Sequence, residues 1–214
     1  MNTKTLKMIE FPIVGGDTTQ LHVPVEKVPQ PYQRLAYVGS KNDAYIDTGV
    51  YMNKDISFEL ICEYNSGNFL FGADGDDSGK RNSFGVNVYN NSDTWRIHYG
   101  NQQYQNLGTV VKDTIVKFKY DKNRFYINDE LIYTFNVENF HGNYPVILGG
   151  INRGGTVQNF ANIKIYSCKI WDGDILVRWY VPARSNNTRE LYDIINNIWN
   201  RTPNGNFEPG NDVY

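Results

Sequence analysis

The stretch TIVKFKYDKNRFYINDELIYTFNV, residues 114–137, contains the clearest structural signal in the chain. Three short runs rich in β-branched and aromatic residues are separated by Asp121-Lys122-Asn123 and by Asn128-Asp129, which are typical turn sequences. The second turn is of the tight kind that joins adjacent antiparallel strands. The stretch therefore predicts a three-stranded antiparallel meander.

Strand signals continue on both sides of this meander. The segment 56–64 alternates apolar with more polar residues, as do 84–88 and 95–99, so each is expected to turn one face towards a core. Residues 163–171 and 175–181 are predicted to form a further pair of strands, joined by a turn at Asp172-Gly173-Asp174. We expect an all-β sandwich of two antiparallel sheets whose shared core includes Phe58, Leu60, Phe118 and Ile165. One short helix is allowed by the spacing of apolar residues in 190–199.

Composition supports one large β-domain. The chain has 214 residues, of which 40% are hydrophobic, and it is rich in tyrosine. Its net charge of −2 gives no positive field for nucleic acid or anionic lipid. No apolar run approaches the length of a membrane-spanning helix, so no membrane partner is expected. Cys62 and Cys168 form no metal-binding spacing, and Cys62 is expected to be a buried reduced thiol.

Residues 1–31 differ from the body at 32–214. Two short apolar strands around a Gly-Gly turn are followed by Pro24, Pro29 and Pro31, which would end a ladder. One interpretation is an extended arm that attaches to a partner, and the other is that both strands edge the main sheet. The residues expected to make the partner contact are apolar: Leu6, Met8, Ile9, Phe11, Leu21 and Val23.

The two ends of the body resemble a known family. Tyr32-Gln33-Arg34-Leu35-Ala36-Tyr37-Val38 and Ala44-Tyr45-Ile46-Asp47-Thr48-Gly49-Val50 look like the family's opening. Its close is similar to segments 163–172, Leu176-Val177-Arg178, Val181-Pro182-Ala183, Leu191-Tyr192-Asp193 and 206–210. The family is the concanavalin A-like (laminin-G/pentraxin-like) jelly roll found in phage and prophage structural proteins. The resemblance covers about residues 32–210. It implies glycan binding or adhesion more than catalysis, and it transfers no ligand residue.

No catalytic residue is predicted. Glu59 and Glu63 lie on the polar face of one strand but are too far apart to form a glycosidase pair, and a solvated sheet face is expected there. The histidines are scattered and no serine or cysteine has a nucleophile context. The segment 75–81 lacks the spacing of a phosphate loop, so no nucleotide or other cofactor is expected.

Sugar binding usually combines an aromatic face with amides and charged donors. The densest mixture of these types follows one hairpin and is joined by an arginine in a glycine-rich loop: Trp95, Arg96, Tyr99, Asn101, Gln103, Tyr104 and Arg153. Trp95 and Tyr99 have a competing interpretation as core residues, because they alternate with Ile97. A weaker pattern, Asp74, Asp76 and Ser78 followed by glycine, matches half of a calcium loop.

These features favour a non-catalytic, lectin-like protein on a phage virion, either a head decoration or fibre protein or a tail protein. The apolar stretch near the N-terminus is broken by Glu10 and Pro12, so we expect assembly in the host cytoplasm without a secretory signal. Virion proteins would then be partners of the arm, and many copies or a homo-oligomer would strengthen weak glycan binding. The alternative is a secreted or cell-surface bacterial lectin or a glycan-active enzyme.

Overall fold

The computed structural model describes residues 27–30, 32–41, 43–77, 80–89, 93–101, 103–185 and 188–213. The arm residues Leu6 to Val23 lie outside this part, so the attachment role of the arm stays a prediction. The described residues form strands and turns, with no helix among them. The strands are β1 Gln33–Arg34, β2 Val38–Lys41, β3 Ile46–Asn53, β4 Ile56–Gly67, β5 Phe69–Asp77, β6 Lys80–Val88, β7 Thr94–Tyr99, β8 Gln103–Thr109, β9 Ile115–Asp121, β10 Arg124–Ile127, β11 Glu130–Thr134, β12 His141–Leu148, β13 Ile151–Arg153, β14 Thr156–Gln158, β15 Ala161–Asp172, β16 Ile175–Arg184, β17 Arg189–Asp193, β18 Ile198–Asn200 and β19 Asn206–Pro209.

The strands of the described chain form two sheets. One has eleven strands along the order β11-β10-β9-β4-β15-β16-β17-β18, with β1, β2 and β19 attached at its side. The other has eight, in the order β14-β13-β5-β6-β7-β8, with β12 and β3 extending from β5. Pairing between strands is antiparallel except between β5 and β13, which run parallel. The predicted two-sheet, all-β sandwich is confirmed.

The core lies between the sheets and combines aliphatic side chains with many aromatic rings. Phe58, Leu60, Phe118 and Ile165 from the eleven-stranded sheet are at most 1% exposed, as predicted. Across the interface, the rings of Phe58 and Phe71 stack with centroids 4.0 Å apart, and Trp95 meets Phe118 edge-on at 5.1 Å. Cys62 and Cys168 are free and buried, which confirms the reduced-thiol prediction for Cys62. Burial raises the pKa of both thiols, so they behave as small apolar groups.

The meander forms as predicted. β9, β10 and β11 pair in sequence, with Phe125 opposite Tyr120 in one ladder. Asn128 and Asp129 both have positive φ, 50° and 68°. Two consecutive residues with positive φ define the type of turn whose twist matches that of the strands in a two-residue hairpin. After glycine, Asn and Asp adopt positive φ most readily.

The short helix allowed in 190–199 is wrong. This segment is a strand, a turn and a strand, with β17 antiparallel to β18. Asp193 is fully buried and its Oδ1 accepts hydrogen bonds from the backbone amides of Trp179 and Ile195, both at 3.1 Å. Asn197 completes the turn in the left-handed region, at φ 55°. A side chain that binds the amide two residues on offers the backbone a turn in place of a helix.

The described part of the linker packs on the body. Val28 is 8% exposed and joins an outer-face cluster with Val181 and Tyr192, against which Tyr32 and Trp199 also pack. Within the described residues, contact with the sandwich is therefore already present at Val28, a few residues before the expected boundary at 31/32. Among the described residues, no helix has the length and apolar character needed to cross a membrane.

Candidate functional site

The outer face of the eight-stranded sheet carries the polar residues that alternate with its core. In β6, Phe84, Val86 and Val88 point into the core, so Ser83 and Asn87 emerge on the other side. In β7, Trp95, Ile97 and Tyr99 are core residues, which leaves Arg96 and His98 outside. Two adjacent strands thus present four hydrogen-bonding side chains on one surface.

A cleft of about 400 Å³ lies over this surface. Tyr104 of β8 and Arg153 of β13 line it from strands on opposite sides of β6 and β7. Its lining residues combine amides, aromatic rings and cations: Asn68, Phe69, Ser83, Asn87, Tyr89, Arg96, His98, Tyr104, Arg153 and Asn159. The size is that of a small-ligand site. We refer to these residues as the cleft.

Arg96 is held between two tyrosine rings. Its guanidinium carbon lies 3.3 Å from the ring centroid of Tyr89 and 4.7 Å from that of Tyr104. Its Nε donates a hydrogen bond to Asn106 Oδ1 at 2.8 Å. Stacking on aromatic faces and one fixed hydrogen bond restrict the orientation of the guanidinium plane. Tyr104 remains 60% exposed, so its ring is available to a ligand.

A hydrogen-bonded network forms the floor of the cleft. Asn87 Nδ2 donates to Asn68 Oδ1 at 3.0 Å and to the carbonyl of Val88 at 3.0 Å, so its Oδ1 is an acceptor. His98 Nε2, 2.8 Å from that Oδ1, must therefore carry a proton and donate. His98 Nδ1 lies 3.2 Å from Ser83 Oγ. This network fixes the ring and the tautomer of His98.

The Ser83–His98–Asn87 chain has the connectivity of a nucleophile, a base and an orienting group, but its third member is not an acid. A neutral amide stands where a carboxylate would stabilise the imidazolium formed during proton transfer. Ser83 is also only 6% exposed, so its hydroxyl is poorly placed to attack a bulky substrate. The chain is better suited to holding the cleft floor rigid.

Tyr120 supports this floor from inside the sandwich. Its hydroxyl comes from the opposite sheet and lies 2.9 Å from the carbonyl oxygen of His98 and 3.0 Å from that of Gly85. Burial raises its pKa well above the usual value, so the hydroxyl stays protonated and able to donate. The backbone beneath His98 is therefore tied to the core.

Arg153 reaches the cleft from a glycine turn. Gly154 and Gly155 have φ of 61° and 87° and connect β13 to β14, in a region that other residues rarely adopt. Arg153 Nε donates to Asp74 Oδ2 at 2.9 Å, and the Asp74 side chain is 2% exposed while that of Arg153 is 41% exposed. The pair holds Arg153 at the cleft wall.

This ion pair bears on the calcium hypothesis. Asp74 is engaged by Arg153, which places a cation where a metal ion would compete for the same carboxylate. The Asp76 side chain and Ser78 lie outside the described residues. Within the described ranges, no three His, Cys, Asp or Glu side chains come together in a way that would hold a metal ion.

The structure brings together three of the seven residues predicted to bind sugar: Arg96, Tyr104 and Arg153. Trp95 and Tyr99 are 4% and 0% exposed, so their ligand-binding interpretation is wrong and the competing core interpretation is confirmed. They share the Ile97 face of β7, which turns inward. Asn101 and Gln103 lie beyond the cleft. The backbone amide of Asn101 donates to Glu138 Oε2 and the Gln103 side chain is bonded to the backbone of Asn136 at 3.2 and 3.1 Å.

Sequence reasoning missed several cleft residues. Asn87 and His98 could have been predicted from the strand alternation. Each occupies the face of its strand opposite to three core residues. Asn68 and Asn159 had no local signal, since their proximity depends on β5 and the turn before Phe160 meeting in space. The backbone amide of Phe69 donates a hydrogen bond to the carbonyl oxygen of Asn159 at 2.9 Å, which holds these two segments together.

The prediction of a solvated face for Glu63 is wrong. Glu63 is 9% exposed, its Oε1 accepts from Lys164 Nζ at 2.6 Å and its Oε2 accepts from the Tyr166 hydroxyl at 3.2 Å. The hydrogen bond to Glu63 raises the pKa of Lys164. The acid is buried because β15 places these two partners beside it, a pairing that β4 alone does not reveal.

Glu59 lies on the same strand in a different setting. It stands opposite Lys119 in one ladder and Lys169 in the other, in a second cleft of about 390 Å³ on the outer face of the eleven-stranded sheet. Trp171 lines this cleft, and Lys169 Nζ lies 4.3 Å above the ring of Trp179. The tryptophans of the closing segments therefore pack on the outside of the sandwich and not in its main core.

Comparison with known proteins identifies the fold. No protein-family model matches the chain, and no curated protein is similar to it in sequence. Among solved structures, the chain is similar to a "putative carbohydrate binding protein" from Bacteroides ovatus ATCC 8483, with a TM-score of 0.56 and 12% identity. The match covers 85% of this chain and 62% of that protein. At this identity the likeness shows a shared β-sandwich fold.

Proposed function

We propose that this protein binds glycans without cleaving them, in the cleft bounded by Tyr104 and Arg153. The observation that carries the proposal is the exposed Tyr104 ring at the mouth of a cleft whose floor is made of amide and imidazole groups. The carbohydrate-binding description of the Bacteroides ovatus protein, which shares the fold, supports the same function.

The cleft chemistry suits a sugar. A pyranose has an apolar C–H face that packs on an aromatic ring and hydroxyl groups that need donors and acceptors. Tyr104 offers the ring, while Asn68 and Asn159 add amides at the opposite wall. The hydrogen bonds that fix Asn87 and His98 hold the floor in one arrangement before a ligand arrives, which reduces the entropy lost on binding.

The lining of the cleft, as far as the structure describes it, has no carboxylate, and this supports binding without catalysis. Glycoside hydrolysis uses a pair of carboxyl groups at the scissile bond in most enzymes. Among the described residues that line the cleft, none is Asp or Glu. The nearby Asp74 is buried behind its ion pair with Arg153, where it cannot reach a substrate.

A glycan array tests the proposal. The full-length protein, Tyr104→Ala and the control Tyr51→Ala are compared; Tyr51 is 46% exposed and lies on β3 of the same sheet, outside the cleft. We expect the wild type and Tyr51→Ala to bind the same glycans and Tyr104→Ala to lose about tenfold in affinity, as loss of an aromatic contact implies. Mass spectrometry should find the bound glycans intact. Full binding by Tyr104→Ala, or release of shorter oligosaccharides, would refute the proposal.

The virion location, the partner proteins and the copy number stay predictions from the sequence. A test is available because the described linker packs at Val28. A chain that starts at Lys27 keeps that contact, so loss of particle incorporation without loss of folding would assign attachment to the arm. Retained incorporation would assign it to the body.

A further inference from the structure

We infer that the preferred glycan carries an acidic sugar and that Arg96 binds its carboxylate. This inference rests on the proposed function and concerns the same cleft. It starts from the charges of the lining residues, which include the guanidinium groups of Arg96 and Arg153 but no carboxylate among those described. The whole chain has a net charge of −2, so this positive charge is a local feature and not a general one.

The two arginines differ in what neutralises them. Arg153 faces the buried carboxylate of Asp74, with which it forms a compensated pair. Arg96 has no such partner: within the described ranges no carboxylate lies in salt-bridge distance of it, and its hydrogen bond from Nε goes to a neutral amide, that of Asn106. Among the described residues, the cleft therefore contains one half-buried cation without a counter-ion.

The orientation of Arg96 suits a planar anion. The rings of Tyr89 and Tyr104 lie 3.3 and 4.7 Å from its guanidinium carbon, and Nε is already occupied. Its two terminal nitrogens, Nη1 and Nη2, make no hydrogen bond to a described residue. Two parallel N–H donors at fixed spacing match the two oxygens of a carboxylate.

The neighbouring groups place the rest of the sugar. Tyr104 flanks Arg96 and is 60% exposed, so a ring whose carboxylate is bound by Arg96 can pack its C–H face beside the same tyrosine. The amides of Asn68 and Asn159 remain for hydroxyl groups at the far wall. A neutral sugar could use Tyr104 and the amides but would leave the Arg96 charge unpaired when it displaces water, which is unfavourable.

Isothermal titration with matched ligands tests the inference. The probes are tetragalacturonic acid against its fully methyl-esterified form, 3′-sialyllactose against lactose, and a carrageenan oligosaccharide, whose charges are sulfates. Arg96→Gln removes the cation; Arg124→Gln is the control, because Arg124 is a half-exposed arginine on the other sheet. A charge-assisted pair in a cleft predicts that the acidic member of a pair binds about tenfold or more tightly than its neutral partner.

Arg96→Gln should abolish that preference while Arg124→Gln retains it, and added salt should weaken only the acidic ligand. Equal binding of acidic and neutral members, an unchanged preference in Arg96→Gln, or binding of the sulfated ligand alone would overturn the inference. If the acidic and neutral members bind equally, a loss of binding in Tyr104→Ala would still leave the proposed function intact. Failure of every glycan, acidic or neutral, would instead overturn the proposed function itself.

Discussion

Asp74 and Arg153 form an ion pair across the parallel strands β5 and β13, with Oδ2 and Nε 2.9 Å apart. The carboxylate is buried and the guanidinium reaches the cleft. The turn after Arg153 is fixed to the same residue, since the amide of Gly154 donates to the Asp74 carbonyl at 3.0 Å. Asp74 thus positions one wall of the cleft from behind.

We therefore expect Asp74→Asn to lower the free energy of unfolding. The substitution leaves Arg153 facing a neutral group, and because Arg153 is partly exposed the cost should be about 1–3 kcal/mol, less than for a fully buried pair. Urea denaturation measures it. Glu208→Gln is the control, since both side chains of the Glu208–Lys41 pair are more than half exposed and the pair should contribute little. Equal stabilities of Asp74→Asn and wild type would contradict the expected contribution of the pair to the fold.

Glu63→Gln and Glu59→Gln should differ in their effect on the free energy of unfolding, although both acids lie on β4. Glu63 contacts Lys164 and Tyr166 and is nearly buried, so its loss should lower the free energy of unfolding by about 1–2 kcal/mol, discounted because Lys164 is one third exposed. Glu59 forms no ion pair among the described residues, and its replacement should change stability by less than about 0.5 kcal/mol. Chemical denaturation of both variants measures the difference. A cost for Glu59→Gln as large as that for Glu63→Gln would contradict this account.

Alkaline pH should destabilise the fold through its buried tyrosines. In the unfolded chain tyrosine ionises near pH 10, whereas burial raises the pKa of Tyr99 to about 12 and that of Tyr120 well above its usual value. Above pH 10 the unfolded state binds fewer protons than the folded state, so the free energy of unfolding falls as pH rises, by about 1.4 kcal/mol per group and pH unit. Below pH 10 this contribution is fully present.

Urea unfolding at about pH 8 and about pH 11 measures this fall. Tyr120→Phe should be less stable at the lower pH, because the carbonyls of Gly85 and His98 lose their partner. Its stability should nevertheless fall less steeply with pH, since one buried ionisable group is gone. Identical slopes in the two proteins would mean that Tyr120 does not contribute to the alkaline transition.

Asp193→Ala should destabilise the closing segment. Its carboxylate is fully buried and accepts from the amides of Trp179 and Ile195 and from Asn196 Nδ2. Removing it leaves buried donors without an acceptor, at a cost of about 2–4 kcal/mol. Asp174→Ala, at an almost fully exposed turn residue, is the control. Thermal unfolding of the two variants measures the difference. Equal transition temperatures for Asp193→Ala and Asp174→Ala would refute this role for Asp193.

The strands were predictable where their signals are local. The meander around Asn128-Asp129 and the long pair around Gly173 have turn chemistry next to alternating residues, so each could be predicted without the rest of the chain. The segment 190–199 failed because Leu191, Ile194, Ile195 and Ile198 are also spaced like a helix face. The segment forms a turn because Asp193 is buried there, where its carboxylate accepts a hydrogen bond from the backbone amide of Trp179 in β16. The pattern within 190–199 does not reveal this long-range contact.

The candidate site was predictable only in part, because it is assembled by pairing between distant segments. Tyr104 could be chosen from its polar neighbours, and Arg153 from its glycine loop. Their convergence required the parallel contact of β13 with β5, which no local pattern signals. Trp95 and Tyr99 were ambiguous because alternation defines two faces of a strand without saying which one meets the opposite sheet.

The most direct test of glycan binding in the cleft is a nuclear magnetic resonance titration of the labelled protein with the glycan that binds best. The account predicts that the backbone amide signals that shift belong to the cleft, above all Asn87, Tyr89, Arg96, His98 and Tyr104. Shifts confined to the second cleft, around Glu59, Lys169 and Trp171 on the opposite sheet, would contradict it.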